Sequence, residues 1–326
     1  MTETRSDPAS AASDPGRVAD AVDRNWVDRL APPRARPWLR LSRADRPIGV
    51  WLLLLPCFWG LSLAVASDPG GWTLADLHVA LVCIVGAYLM RGAGCTWNDI
   101  TDRDLDGGVA RTRSRPIPSG QVSVKGALIW MAVQSLLAFG LLLTLPPAAI
   151  LLGVVALGPV AIYPFMKRVT WWPQIFLGIA FNWGVLLTWA AHTGGLSAAP
   201  ILLYLAGMAW TLFYDTIYAC QDKEDDALMG IKSTARLFGE ATRRWLLGFL
   251  VAAVLLALAA VALALGDSGP LALALGVAGV GAFGWCLHRQ LARFDPDDTA
   301  ACLTLFRDNR VAGLLLAGFL AAAGLV

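Results

Sequence analysis

The chain has 326 residues, of which 57% are hydrophobic and 15% are charged, and its mean hydropathy is +0.59. This composition is typical of a membrane protein and excludes an ordinary soluble domain. The net charge of +2 is too small to indicate nucleic-acid binding. The six cysteines lie singly in or beside apolar stretches, without CxxC or Cys/His spacing, which argues against a zinc site.

Residues 1–37 are rich in Ala, Asp, Arg, Pro and Ser and have little apolar periodicity. We therefore expect them to form a mostly disordered cytoplasmic tail. Their composition matches neither a secretory signal peptide nor an organellar transit peptide, which is poor in acidic residues. The membrane domain is expected to occupy residues 38–326.

From Pro47 onward, nine apolar stretches each approach the roughly 20 residues with which a helix crosses a bilayer. This pattern predicts an all-α, polytopic membrane protein with nine transmembrane helices. The predicted spans are residues 47–66, 75–97, 122–144, 147–165, 172–192, 199–220, 244–265, 269–288 and 303–325.

Lys and Arg residues segregate to one side of these spans. The loops after spans one, three, five and seven contain none, whereas the tail and the loops after even-numbered spans are basic. The positive-inside rule then places the N-terminus and the basic loops in the cytoplasm and the C-terminus on the opposite side. We expect this orientation in a bacterial inner (plasma) membrane.

An acidic motif follows the second span, where residues 98–120 read NDITDRDLDGGVARTRSRPIPSG. Asp99, Asp102 and Asp106 are spaced i, i+3 and i+7, so their carboxylates share one face of a helix that continues through them. Asp104 is expected to point elsewhere. Oxygen ligands of this kind suit Mg²⁺, which one or two carboxylates typically hold together with substrate phosphates.

A second acidic motif follows the sixth span, where residues 213–240 read FYDTIYACQDKEDDALMGIKSTARLFGE. Asp215, Asp222 and Asp226 fall on one helical face, and Asp225 lies beside them. Both motifs follow even-numbered spans, so they are expected to face one cavity on the same side of the membrane. Metal ions held there would neutralise the charge that develops on a phosphate leaving group.

Basic residues accompany both motifs. Guanidinium groups offer forked donors that match phosphate oxygens. The basic groups are Arg111, Arg113 and Arg115 behind the first motif, Lys167 and Arg168 after span four, and Arg40, Arg43 and Arg46 before span one.

Each of these features also has a plain structural explanation. Basic loops are required for topology, and carboxylates such as Asp104 and Asp297 are commonly solvated. Tyr163, Tyr214 and Tyr218 either belong to the interfacial belt of aromatic residues or line the site. Intramembrane carboxylates also mark cation pathways in transporters, but there they lie near mid-membrane on broken helices.

At the two motifs, the sequence resembles the UbiA superfamily of intramembrane prenyltransferases. Its NDxxDxxxD and DxxxD patterns are matched by Asn98, Asp99, Asp102, Asp106, Asp222 and Asp226. The segments RTRSRPIPSG, YPFMKR and YDTIYACQDKEDDALMGIKSTARLFG look most like the branch that prenylates 4-hydroxybenzoate in ubiquinone biosynthesis. Branches with a naphthoate, homogentisate, haem or chlorophyllide acceptor stay open.

The resemblance implies a nine-helix bundle around a central cavity that opens laterally to lipid. It also implies Mg²⁺-dependent transfer of a polyprenyl group from polyprenyl diphosphate to the ring carbon ortho to the hydroxyl of 4-hydroxybenzoate. The implied Mg²⁺ ligands are Asn98, Asp99, Asp102, Asp106, Asp222 and Asp226, and the five aspartates are the implied catalytic residues.

The resemblance also implies a set of substrate-binding residues. Of the basic residues, Arg168 is favoured for the benzoate carboxylate, with Arg43 or Arg46 as alternatives. Tyr163 and Trp183 are candidates for aromatic walls around the allylic cation. The implied substrate-binding residues are Asn98, Arg111, Arg115, Lys167, Arg168, Tyr163, Arg43, Arg46 and Asp225.

Overall fold

The computed structural model describes residues 21–22, 25–108 and 112–326. These residues form a bundle of long helices and no β-strand, which confirms the predicted all-α fold. The helices are α1 (Trp26–Leu30), α2 (Arg36–Leu41), α3 (Ile48–Ser67), α4 (Leu74–Gly108), α5 (Val124–Leu142), α6 (Pro147–Val155), α7 (Leu157–Val169), α8 (Pro173–Thr193), α9 (Ala198–Ala219), α10 (Lys223–Leu228), α11 (Thr234–Phe238), α12 (Thr242–Leu265), α13 (Pro270–Arg293) and α14 (Thr299–Ala323).

The nine predicted spans correspond to α3, α4, α5, the pair α6–α7, α8, α9, α12, α13 and α14. Within the described ranges, eight stretches are long and apolar enough to cross a membrane. The ninth, α14, has 25 residues but carries Arg307, Asp308 and Arg310 in its first half. The chain is therefore an integral membrane protein whose last span has a charged end.

Helix α4 extends the second predicted span through the whole first acidic motif. It has 35 residues, so it is about 52 Å long and exceeds the roughly 30 Å hydrocarbon core. The extra turns carry Asp99, Asp102 and Asp106 to one end of the bundle.

The fourth span is broken at Ala156 into α6 and α7, a break that the sequence analysis did not include. Pro159 lacks a backbone N–H and cannot donate to the carbonyl of Val155, so the helical hydrogen-bond ladder is interrupted there. The break separates an apolar half from α7, which ends with Lys167 and Arg168.

The expected tail differs from the structure in its last part. Residues 1–20 and 23–24 lie outside the described residues, but residues 25–37 contain α1 and the start of α2. Asn25 caps α1 by accepting a hydrogen bond from the Asp28 N–H (3.0 Å), and Val27 is fully buried. Arg40 donates to Asp28 at 2.8 Å. This segment folds because Val27 and Ala31 pack against Leu39 and Ala44. A composition argument cannot detect such contacts.

The main core joins α3, α9, α12, α13 and α14. Trp59 packs on Trp210, with ring centroids 4.8 Å apart, and both rings contact Phe283. At the end opposite the acidic motifs, Trp72 in the α3–α4 loop donates to the carbonyl of Ala321 near the end of α14 (3.2 Å). The C-terminal end of α14 therefore lies across the bundle from the acidic motifs, as an odd number of spans requires.

Candidate active site

The three aspartates of the first motif lie on one buried face of α4. Asp99 and Asp102 are fully buried, and Asp106 is nearly so, whereas the Asp104 side chain is 86% exposed and pairs with the exposed Arg103. The i, i+3, i+7 spacing is responsible for this arrangement. Each buried carboxylate receives a basic partner from a different part of the chain, because an unpaired buried charge is strongly unfavourable.

Asp99 is paired with Arg43 in the turn between α2 and α3. The two guanidinium NH₂ groups donate to the two carboxylate oxygens at 3.0 and 2.5 Å. Arg43 has a φ of 59°, a left-handed conformation that is uncommon for a residue with a side chain. Burial alone would lower the pKa of Arg43, but the Asp99 carboxylate raises it above its usual value. Arg43 therefore stays cationic and links the N-terminal segment to the motif.

Asp102 is paired with the end of α7. The Lys167 ammonium lies 2.5 Å from one carboxylate oxygen, and Arg168 lies 3.2 Å from the other. Arg168 also donates to the carbonyl of Thr101 at 2.7 Å, and its side chain is 44% exposed. The last turn of α7 contacts α4 through these pairs.

Asp106 is paired with Arg115 from the loop after α4, at 2.7 Å. The same guanidinium lies 3.6 Å from Asp99, and its Nε atom is buried without a hydrogen-bond partner. Thr112 donates to the Asp106 carbonyl and closes the loop back onto the helix end (2.9 Å). Arg111 lies outside the described residues.

The second motif faces the first across a cavity of about 240 Å³, which we call the polar chamber. Asp222 lies in a 3₁₀ turn after α9, and Asp226 lies in α10. Asp225 is also in α10, but its side chain is outside what the structure describes. The polar chamber is bordered by Asn98, Asp106, Arg115, Tyr163, Lys167, Asp215, Asp222, Asp226 and Ser233, among others.

The donor set of the polar chamber fits a divalent cation that is shared with a substrate. Within the described ranges, no three His, Cys, Asp or Glu side chains converge closely enough to hold a metal ion alone. Mg²⁺ is typically bound by one or two carboxylates together with substrate phosphates rather than by an all-protein cage. Asp106, Asp222 and Asp226 supply carboxylates and Asn98 an amide oxygen, while Arg115 and Lys167 supply donors for phosphate.

A larger cavity of about 590 Å³, which we call the apolar chamber, extends from this site into the membrane domain. Both chambers are lined by Asn98, Arg115, Tyr163, Asp215 and Tyr218, so they meet at these residues. Along α4, the lining runs from Asn98 to Val82, about 24 Å at 1.5 Å per residue. Leu136, Phe139, Leu142, Val154, Trp183 and Leu187 contribute to its walls.

Arg91 and Asp215 line the apolar chamber; Asp215 belongs to the second acidic motif, whereas the sequence did not single out Arg91. Arg91 lies about 12 Å along α4 from Asp99. Its guanidinium packs over the Phe181 ring at 5.3 Å, and its Nε is buried without a hydrogen-bond partner. Gly49 leaves room for it, since a Cβ there would lie 2.4 Å from that Nε. The signal in the sequence that could have identified Arg91 was an arginine inside an apolar span.

The structure separates the predicted substrate-binding residues into two groups. Asn98, Arg115, Tyr163 and Lys167 border the polar chamber, and Arg43 and Arg46 line the apolar chamber near its polar end. Burial lowers the pKa of Arg46 to about 10, so this residue is still cationic at neutral pH. Arg168 borders neither chamber.

Comparison with known proteins places this geometry in context. Residues 53–310 match the UbiA prenyltransferase family. A protein of Bos taurus named 4-hydroxybenzoate polyprenyltransferase, mitochondrial, is 48% identical over 291 residues, which cover 89% of this chain and 76% of the relative.

Two solved structures have a similar fold. The apo structure of a UbiA homolog from Aeropyrum pernix K1 has a TM-score of 0.67 at 24% identity and covers 83% of this chain and 97% of that chain. A UbiA homolog from Archaeoglobus fulgidus, bound to GPP and Mg²⁺, has a TM-score of 0.65 at 20% identity and covers 89% of this chain and 100% of that chain. At these identities the likeness concerns the arrangement of the helices.

Proposed function

Because the chain belongs to the UbiA prenyltransferase family, we propose that it transfers a polyprenyl group from a polyprenyl diphosphate to the ring of 4-hydroxybenzoate, in ubiquinone biosynthesis. The observation that carries this proposal is the junction of the two chambers. A chamber of carboxylates and basic residues suits a metal-bound diphosphate, and the adjoining apolar chamber suits an isoprenoid chain, which gains about 0.8 kcal/mol per buried CH₂.

The donor is proposed to bind with its diphosphate in the polar chamber. A bound Mg²⁺ would neutralise the negative charge that grows on the diphosphate as it leaves. Its proposed ligands are Asn98, Asp99, Asp102, Asp106, Asp222 and Asp226, of which Asp99 and Asp102 are not among the residues that border the chamber. Arg115 and Lys167 would hold diphosphate oxygens, as would Arg111.

The chemistry proposed at the junction is ionisation of the allylic C–O bond, with the electron pair leaving on the diphosphate. The ring carbon ortho to the phenolic hydroxyl then bonds to the allylic carbon and loses its proton. Tyr163 borders both chambers and Trp183 the apolar one. Aromatic faces there favour the allylic cation and exclude water from it.

Arg91 is the proposed partner of the acceptor carboxylate and replaces Arg168 in that role. Arg168 is engaged by Asp102 and the Thr101 carbonyl and borders neither chamber, whereas Arg91 lines the apolar chamber with a buried Nε that has no acceptor among the described residues. Arg43 is also less suited, since Asp99 occupies both of its NH₂ groups. A carboxylate on Arg91 would place the phenol ring in the cavity that holds the prenyl chain.

The proposed location is a bacterial inner membrane, with the polar chamber on the cytoplasmic side. The Lys and Arg residues of the loops at that end support this orientation. The Bos taurus relative is named as mitochondrial. The proposed location is therefore tested independently of the proposed reaction. Reporter fusions after Val326 and within the α4–α5 loop would test the orientation.

The reaction is tested with purified protein, Mg²⁺, a polyprenyl diphosphate and 4-hydroxybenzoate, followed by mass analysis of the prenylated acid. Asp222→Asn should reduce turnover by at least 10²-fold, the usual scale for losing an electrostatic catalytic group. Asp104→Asn is the matched control, since that side chain is 86% exposed, and it should retain normal turnover. Normal turnover in Asp222→Asn, or product with naphthoate or homogentisate instead, would contradict the proposal.

A further inference from the structure

Ser233 has a buried hydroxyl that has no role in the reaction proposed above. It follows the second acidic motif, borders the polar chamber and is only 4% exposed. Its Oγ is buried and has no hydrogen-bond partner among the residues that the structure describes. Ser233 precedes α11, yet its side chain does not cap that helix. A buried hydroxyl without a partner is unfavourable, and such groups in native structures call for an explanation.

The backbone on both sides of Ser233 is fixed. On one side, the N–H of Lys232 donates to the carbonyl of Lys167 at 3.0 Å, and the Lys232 ammonium donates to the carbonyl of Val169 at 3.0 Å. These bonds tie the segment to the end of α7, which also carries the ammonium that contacts Asp102.

On the other side, the Thr234 N–H donates to the Gln174 side chain at 3.3 Å, and the Thr234 hydroxyl pairs with that of Thr216 at 2.7 Å. The Ile231 N–H donates to the carbonyl of Asp226 at 2.9 Å, which connects the segment to the second motif. Ser233 is thus held at a defined place at the edge of the polar chamber, while its side-chain hydroxyl has no partner among the described residues.

We propose that the Ser233 hydroxyl donates a hydrogen bond to an oxygen of the diphosphate bound in the polar chamber. This inference rests on the proposed function, because it assigns a residue to the same substrate. An O–H donor to a charged phosphate oxygen adds a directional contact that the flexible Lys167 ammonium does not provide. It also gives the hydroxyl the partner that it lacks within the protein.

The test compares Ser233→Ala with Ser123→Ala. Ser123 is a helix-capping serine at the same end of the bundle, and its Oγ accepts from the Gly126 N–H at 3.1 Å. Ser233→Ala removes no hydrogen bond within the protein, so its thermal midpoint without ligand should equal or exceed that of the unmodified protein. Ser123→Ala loses a cap and should unfold at a lower temperature.

Binding is measured by the rise in thermal midpoint that Mg²⁺ with inorganic pyrophosphate produces, and by the KM for the prenyl diphosphate. In Ser233→Ala, the pyrophosphate concentration that produces a given rise, and the KM, should increase roughly ten-fold, as expected for one hydrogen bond to a charged group. Both should be unchanged in Ser123→Ala, and Ser233→Thr should recover much of the loss.

The outcomes separate the two proposals. If the unmodified protein does not respond to pyrophosphate and Mg²⁺, the proposed function fails. If it responds and Ser233→Ala responds at the same concentrations, with a higher thermal midpoint, the hydroxyl has no role in binding and the inference is overturned.

Discussion

Arg91 is the residue whose role can be tested most selectively, because it lines the apolar chamber and does not border the polar chamber. Arg91→Met keeps an unbranched side chain and removes the guanidinium fork that would bind the acceptor carboxylate. We expect the KM for 4-hydroxybenzoate to rise roughly ten- to hundred-fold, since hydrogen bonds to charged groups contribute about 1.5–3 kcal/mol. The KM for the prenyl diphosphate should change little.

Arg168→Met serves as the comparison, because Arg168 contacts Asp102 but neither chamber. Arg168→Met should lower kcat/KM for the prenyl diphosphate and leave the KM for 4-hydroxybenzoate nearly unchanged. Arg91→Lys retains the positive charge. An intermediate KM in a folded Arg91→Lys protein would show that the effect of Arg91→Met is not caused by misfolding. Equal acceptor KM values for Arg91→Met and the unmodified protein would contradict the assignment.

At this scale, the sequence predicts which residues are chemically special better than it predicts their partners. The spacing of Asp99, Asp102 and Asp106 was sufficient to place them on one face, since helical geometry is local. Their partners depend on contacts across the chain, such as Arg43 with Asp99, and on a left-handed backbone at Arg43 that no propensity scale favours. Roles for Arg111 and Asp225 stay predictions.

Among the helices, α4 and α8 are joined at the end opposite the acidic motifs by a polar cluster around His192. His192 near the end of α8 lies with Nδ1 2.6 Å from Asp76 and Nε2 3.3 Å from Asp68. Asp76 also accepts from the Thr73 N–H and hydroxyl, at 2.9 and 2.6 Å, and is only 2% exposed. The cluster fixes the α3–α4 loop against α8.

His192→Ala should therefore lower the stability of the protein without changing the KM for either substrate. It leaves the buried Asp76 carboxylate with one fewer donor, at a cost of about 1.5–3 kcal/mol. Thermal unfolding in detergent measures the effect. His78→Ala is the control, because His78 is exposed and its ring pairs with the Thr144 hydroxyl at 2.9 Å. Equal thermal midpoints for the two variants would show that the cluster does not stabilise the loop.

The helices themselves were largely predictable because nine runs of apolar residues have few alternatives in a bilayer. The lengths of the apolar runs did not predict the break at Ala156. Pro159 causes it within a stretch whose apolar composition is continuous. The folded segment of α1 and α2 was also missed, since its stabilisation comes from packing on the bundle and from the Arg40–Asp28 pair.

At the scale of the whole molecule, the apolar chamber reaches the lipid-facing surface of the bundle. Leu136 and Phe139 of α5 and Val154 and Leu157 of the broken span line it, and these four are 69%, 42%, 44% and 49% exposed. A long isoprenoid chain can therefore leave the bundle between α5 and the α6–α7 pair. A substitution deep in the apolar chamber should then affect long prenyl diphosphates, which reach that depth, more than short ones.

Gly86 tests this dependence. It lines the apolar chamber about 18 Å along α4 from Asn98, and a Cβ there would meet no atom within 4 Å. Gly86→Leu should fold normally and fill only the distal part of the chamber. Its kcat/KM for a long-chain polyprenyl diphosphate should fall by at least roughly ten-fold, because overpacking costs about 1–3 kcal/mol. Use of dimethylallyl and geranyl diphosphate should persist.

The matched control is Gly140→Leu on α5, which also has open space at its Cβ and does not line either chamber. It should leave the chain-length profile unchanged, so that a general effect of replacing a membrane glycine is separated from a blocked chamber. If Gly86→Leu lowers activity equally for short and long donors, the chain does not extend along α4 past Gly86. In that case the isoprenoid leaves the bundle closer to the junction of the two chambers, and the distal part of the apolar chamber has no part in selecting chain length.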